Sequence, residues 1–239
     1  LGADVVINDI DLNAAAEYNE TLSAATVMEE VEALGCRALG VQADVTNKDA
    51  VDAMFEEALG AFGRVDILVN NAGGALKTPP QNSAAEADIE HYKWTMDLNL
   101  TSTILCCQAA SRPMKEQRSG KIVNVSSQAG LWSGHHGGFV GYKVAKAGVA
   151  HYTRILAAEL GPYNINVNSI APGWILSSRA VAGGRDSEET RERLLPQIPL
   201  RRMGMPEDCA KVVEFLVTDL SDYVTGQCIP ICGGVVAWG

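Results

Sequence analysis

Val65-Asp66-Ile67-Leu68-Val69-Asn70-Asn71-Ala72-Gly73-Gly74 decides the fold: a short aliphatic run passes without a break into a turn of amides and small residues. A run this short, closed by glycine, reads as a buried strand rather than a helix. The pattern recurs. Val5-Val6-Ile7 ends in Asn8-Asp9, and Ala38–Gln42, Lys121–Val125, Asn166–Ile170 and Gln227–Ile231 are further strands. Longer segments of 3.6-residue period lie between them. One runs to about Leu34 with Gly35 as its stop, and one to about Phe62 is opened by Thr46 and Asp49 in the manner of a capping box. Ile89–Gln117, Tyr142–Leu160 and Pro206–Leu216 are the other helices. Strands alternating with helices imply βαβ units, and unbroken Val/Ile/Leu strands fit a sheet covered on both faces. The expected fold is α/β, a doubly wound parallel sheet flanked by helices, in a single domain over residues 1–239.

The 239 residues are 47% hydrophobic and 20% charged, with 19 basic against 29 acidic side chains and a net charge of −10. That balance lacks the basic stripe a nucleic-acid surface needs, so no nucleic-acid partner is expected. No apolar run approaches the ~20 residues of a membrane span, and Leu1-Gly2-Ala3-Asp4 does not open a signal peptide. The six cysteines have no His or Cys cluster at metal-ligand spacing, so no metal site is expected, and they read as thiols of a reducing cytoplasm.

Tyr142-Lys143-Val144-Ala145-Lys146 sets a phenol and an ammonium one helical turn apart. A cation beside a phenol favours the phenolate, so Tyr142 is a candidate general acid/base with a lowered pKa. A surface Tyr and Lys is the plainer reading of that motif alone. Ser126-Ser127 end the strand Lys121–Val125 and can present a hydroxyl to a substrate oxygen, or simply close the strand. Asn71-Ala72-Gly73 would let a flat ligand approach the backbone, or make a sharp turn. Asn99 stands in an apolar helix where asparagine is a poor helix former, which suggests a buried polar task.

In order and spacing, Asn70-Asn71-Ala72-Gly73, Asn99, Ser126-Ser127, Tyr142-x-x-x-Lys146, Pro172-Gly173, Arg202-x-Gly204-x-Pro206-Glu207 and Gly226-Gln227 through Gly233-Gly234 resemble the short-chain dehydrogenase/reductase family over essentially the whole chain. The resemblance implies a Rossmann-like sheet and a nicotinamide cofactor. It implies that Tyr142 transfers the proton, Ser127 orients the substrate oxygen, Lys146 holds the nicotinamide ribose, and Asn99 supports a proton-relaying water. It places Asp9, Asp44, Val45, Asn71, Ala72, Gly73, Tyr142, Lys146, Pro172, Gly173, Ile175 and Ser177 against the cofactor. A carboxylate at Asp9 accepts from ribose hydroxyls and repels a 2′-phosphate, which favours NAD over NADP. The family also implies a homotetramer built through Ile89–Arg118 and Tyr142–Leu160.

Two departures stand out. The family's first strand and glycine-rich turn are missing, and Leu1-Gly2-Ala3 already leads into its second strand. Removing that central strand would leave two interior edges unpaired, so a further segment is expected in the natural protein. A chain starting at Leu1 is expected to fold poorly and bind NAD weakly. Cys232 stands where relatives usually carry an aspartate.

The expected reaction is NAD(H)-dependent interconversion of a secondary alcohol and a ketone. Residues 172–199 form a substrate lid, and Trp132, His135, His136 and Trp174 are pocket candidates. No arginine pair is evidently placed for an anion, which favours a neutral polyol, sugar or cyclic ketone as the small-molecule substrate. The alternatives are a 3-oxoacyl thioester reductase, expected to use NADPH and basic residues near the site entrance, and a catalytically silent binding or assembly module.

Overall fold

The computed structural model describes residues 2–17, 20, 22–75, 83–134 and 137–236. Strands β1 (Val5–Asp9) and β2 (Ala38–Gln42) form one sheet. Strands β3 (Ile67–Asn70), β4 (Gly120–Val125), β5 (Ile165–Pro172) and β6 (Cys228–Ile231) form a second, in that order. Every pairing is parallel, with Val5 opposite Ala38, Ile67 opposite Lys121, Gly120 opposite Ile165 and Ser169 opposite Cys228. The six strands are those read from the sequence, with β3 displaced two residues toward the turn at its start. The single sheet is instead two, because no ladder joins β1 to β3 among the described residues. Ile67 and Val69 of β3 are accordingly 39% and 41% exposed, whereas Ile122, Val123, Val167 and Ile170 on β4 and β5 are buried.

The helix expected to reach Leu34 is two shorter pieces, α1 (Ala14–Glu17) and α2 (Val27–Ala33). Its interruption has a local cause. Glu29 and Glu30 turn back to accept from Ala25 N and the Ser23 hydroxyl, while the Thr26 side chain accepts from Glu29 N and starts α2 afresh. Helix α3 (Lys48–Phe62) follows β2, and its cap is Asn47 rather than Thr46. The Thr46 hydroxyl donates to Asp44 at 2.7 Å, which leaves the Asn47 amide oxygen to accept from Asp49 N and Ala50 N.

The long segment after β3 contains α4 (Ile89–Met96), a π-helical turn over Asp97–Thr101, and α5 (Ser102–Gln117). Beyond β4 come α6 (Gln128–Leu131) and α7 (Val140–Leu160). The connection after β5 holds α8 (Ser178–Ala182) and α9 (Glu188–Leu194), and α10 (Pro206–Val217) precedes β6. One hydrophobic core joins the two sheets. Val6, Leu39 and Val41 of the first pack with Leu68, Ile122 and Val167 of the second, through Val51 and Phe55 of α3 and Cys107 and Ala110 of α5. The opposite face of β4 and β5 is covered by α10, with Val123, Ile170 and Leu216 buried together. No described helix is long and apolar enough to cross a membrane.

Candidate active site

In parallel sheets, ligands bind beyond the carboxyl ends of the strands. At that rim of the larger sheet lie Asn71–Gly74 after β3, Ser126-Ser127 after β4, and Gly173–Ser177 after β5. Ser126 faces inward: its hydroxyl donates to the carbonyl of Lys146 at 2.7 Å and ties the end of β4 to α7. Ser127 caps α6 by accepting from Ala129 N at 3.2 Å, and it is near enough to the Tyr142 phenol to lower its pKa. The second serine, not the first, therefore reaches the tyrosine. Gly130 lets α6 lie directly on α7, since a Cβ there would sit 2.5 Å from the carbonyl carbon of Lys146.

Tyr142 and Lys146 occupy the first two turns of α7. Lys146 is 3% exposed, and its ammonium donates to the carbonyl of Val125 at 2.8 Å, 5.8 Å from the centre of the Tyr142 ring. Burial depresses the lysine, with repulsion from Arg179 adding to it, to a pKa of about 8. The sequence leads one to expect a lowered Tyr142 pKa; the structure corrects this. Burial raises the phenol, and the Ser127 hydrogen bond and then the charges of Arg185 and Arg179 only partly oppose it. The lysine is itself desolvated and engaged by Val125.

Asn99 is fully buried inside the π turn. Its amide oxygen accepts from Gly74 N at 2.9 Å, and its amide nitrogen donates to the carbonyls of Gly74 and Thr95, both at 3.0 Å. Gly73 has φ 138°, and a Cβ on it would lie 2.6 Å from the Asn99 oxygen, so this turn requires glycine. Behind the site, Asn70 donates to Asn124 at 2.9 Å and Asn124 to Thr153 at 3.0 Å, linking β3, β4 and α7 through buried polar groups. Neither Asn124 nor Thr153 stood out in the sequence, because their partners lie on other elements and no local spacing links them.

Other predicted residues fall as follows. Asp9 ends β1 exposed and caps its own turn by accepting from Asp11 N at 3.0 Å. Asp44 and Val45 follow β2, where Asp44 is engaged by Thr46. Pro172 ends β5 and Gly173, Ile175 and Ser177 follow it, all half-buried, and Ser177 caps α8. Trp132 closes α6, while Trp174 packs in a small core with Leu194, Ile198 and Met203. His135 and His136 lie outside the described residues. Cys232, where an aspartate is usual, is buried and accepts from Val236 N at 3.3 Å.

Two arginines that the sequence did not single out lie in the connection after β5. Arg179 reaches the Gly73 carbonyl at 3.5 Å and Arg185 donates to the Ile175 carbonyl at 2.8 Å. Both charges act on Tyr142. The sequence hid this because both residues lie in a long irregular connection whose return path no local pattern encodes.

The residues present fit a nicotinamide dinucleotide. Lys146 commits one of its three ammonium protons to Val125, leaving two for hydroxyl acceptors. Asp9 offers a carboxylate at the end of β1, and the backbone of Gly73 is bare of side chain.

A family model described as enoyl-(acyl carrier protein) reductase matches residues 2–236. Cyclohexanol dehydrogenase of Rhodococcus sp. (strain TK6) is 44% identical over 240 residues, 98% of this chain and 87% of its own. A 3-oxoacyl-[acyl-carrier-protein] reductase of Synechocystis sp. is 37% identical over 236 residues, 98% of this chain and 87% of its own. Among solved structures, a 7α-hydroxysteroid dehydrogenase complexed with NADH and 7-oxo glycochenodeoxycholic acid superposes with a TM-score of 0.84 at 31% identity, covering 98% of this chain and 84% of that one. With a paired serine, tyrosine and lysine at the rim of a parallel sheet and relatives matching along nearly its whole length, the chain belongs to the short-chain dehydrogenase/reductase family and is an NAD(P)-dependent oxidoreductase.

Proposed function

We propose that the protein interconverts a secondary alcohol and a ketone with NAD(H), using Tyr142 as the general acid/base. The observation that carries this reading is the buried Lys146, its ammonium 5.8 Å from the centre of the Tyr142 ring on the same face of α7, with Ser127 at the adjoining end of β4. In the reducing direction the neutral Tyr142 phenol gives its proton to the substrate oxygen, and Ser127 donates to that oxygen and holds it; oxidation is the reverse and requires Tyr142 as the phenolate. A bound nicotinamide would supply or take up the hydride at the carbon bearing that oxygen. Lys146 holds the ribose, Asn99 keeps the Gly73-Gly74 turn in place and supports a proton-relaying water, and residues 172–199 act as the lid. Asp9, followed by the exposed Ile10 rather than a cation, supports NAD over NADP.

A cyclic ketone skeleton is supported by the cyclohexanol dehydrogenase and hydroxysteroid dehydrogenase relatives. A second reading, reduction of a 3-oxoacyl thioester, is favoured by the two arginines at the site; the Asp9 carboxylate counts against it. Exposed Trp94, Val144 and Ile155 on α4 and α7 support a homotetramer assembled through these helices, and six free thiols support a cytoplasmic protein.

Tyr142→Phe is the test. We expect NAD-dependent oxidation of cyclohexanol to fall by about 10²–10⁴-fold, with NADH affinity by fluorescence titration unchanged. Activity retained in the variant sinks the assignment.

A further inference from the structure

Ser102, Thr103, Ser111 and Thr153 are buried, and each donates its hydroxyl within its own helical segment, to the carbonyl four residues earlier. Ser126 differs. It is 2% exposed, and its hydroxyl crosses 20 residues of sequence to the carbonyl of Lys146 in α7, at 2.7 Å. Its backbone N–H donates to the Ile170 carbonyl of β5 at 2.8 Å, so that hydroxyl stands on a fixed base. The residue before it makes the converse bond: the Val125 carbonyl accepts from the Lys146 ammonium at 2.8 Å. Two consecutive residues at the end of β4 therefore hold one lysine at both ends, the root of its side chain through Ser126 and the tip through Val125. Gly130 closes a third side, since a Cβ there would lie 2.5 Å from the Lys146 carbonyl carbon. A lysine stem is long and flexible, and a bond at the tip alone leaves the root free to shift with its helix. Pinning the root fixes the height of this α7 turn against β4. It thereby fixes the direction of the two ammonium protons that Val125 does not take.

We propose that Ser126 is a positioning residue: its bond to the Lys146 carbonyl sets where the free ammonium protons point, and so how tightly the chain holds the hydroxyls of the cofactor's ribose. This rests on the reading of Lys146 as the group that holds the ribose. Ser126 acts only through the lysine and takes no part in proton transfer. The two serines after β4 thus have separate tasks, Ser127 toward the substrate oxygen and Ser126 toward the lysine.

The test is a double-mutant cycle on the 239-residue chain, read by NADH fluorescence titration. Ser126→Ala is expected to weaken NADH binding about tenfold, the scale of one lost hydrogen bond. In a Lys146→Met background the same change should cost less than about twofold, because the group it acts through is gone. Ser126→Cys keeps a weaker donor and should fall between the parent and Ser126→Ala; it carries the decision should the alanine variant unfold. Ser221→Ala is the structural control. Ser221 is also buried and donates to a helix carbonyl, that of Leu216 at 2.9 Å, on the face of the sheet covered by α10. Its loss should lower the urea midpoint and leave NADH affinity within about twofold. Equal weakening by Ser126→Ala in the parent and Lys146→Met backgrounds overturns the proposal. So does parental NADH affinity in the Ser126 variants, or an equal loss in Ser221→Ala. Lys146→Met alone reports on the underlying reading: unchanged NADH affinity removes the lysine from the ribose site and the role of Ser126 with it, whereas a loss there without coupling removes only the role of Ser126.

Discussion

Burial holds the Lys146 ammonium at a pKa of about 8, well below the usual lysine value of 10.5. Between those two values the unfolded chain keeps a proton that the folded chain has released, so stability rises with pH across that window. Below pH 8 the folded state bears the full cost of the buried charge, roughly 3 kcal/mol for a shift of this size. Lys146→Met removes the charge at similar bulk. In urea unfolding, the parent protein should gain roughly 3 kcal/mol on the variant between pH 8 and pH 10.5; a constant difference would show that the lysine titrates normally. At this scale the tyrosine–lysine pair was legible because both residues lie on one helix, where spacing alone fixes their neighbourhood. The sign of the tyrosine shift was not, since it depends on how deeply α7 packs. The reach of Arg179 to the Gly73 carbonyl was not legible either, because it follows only when the connection after β5 folds back over the β3 turn.

Elements were legible to the extent that their signals are local. The strands were plain from their aliphatic runs, while the start of α3 falls one residue later than the capping-box reading of Thr46 and Asp49, since Asn47 is as good a cap. The structure resolves the choice by giving Thr46 to Asp44 and Asn47 to the helix. Asn47→Ala should therefore cost about 1 kcal/mol, and Thr46→Ala less than half of that; chemical denaturation of both variants checks it, and the reverse order would return the cap to Thr46. The π turn at Asp97–Thr101 was invisible because the apolar period of Ile89–Gln117 passes through it. Only Asn99 hinted at it, a polar residue where the pattern asks for an apolar one. A π turn adds a residue to the helical ladder, and here the residue turned toward the Gly74 backbone is Asn99.

At the scale of the molecule, two sheets share one core but no ladder, and their resistance to opening should differ. β4 and β5 have neighbours on both sides, and ten of their fourteen residues are buried. Among the described residues β1 and β2 pair only with each other, β2 contributes Val41 alone to the buried set, and α2 beside them buries nothing. A two-stranded unit in isolation is marginal in water, and this one depends on the core it shares with Val51 and Phe55 of α3 and Cys107 and Ala110 of α5. Local opening follows such contact density. In native-state hydrogen exchange of the 239-residue chain, the amides of β1 and β2 should exchange through an opening several kcal/mol below the global unfolding that limits β4 and β5. Phe55→Ala should widen the gap: loss of a buried phenylalanine costs about 3–5 kcal/mol, and the first sheet relies on that side chain more than the second does. NADH should narrow it if Asp9 on β1 and Lys146 on α7 both hold the nucleotide, because a ligand spanning the two sheets stabilises only the state in which both are formed. Uniform protection of all six strands, with and without NADH, would mean that the shared core alone makes them one cooperative unit.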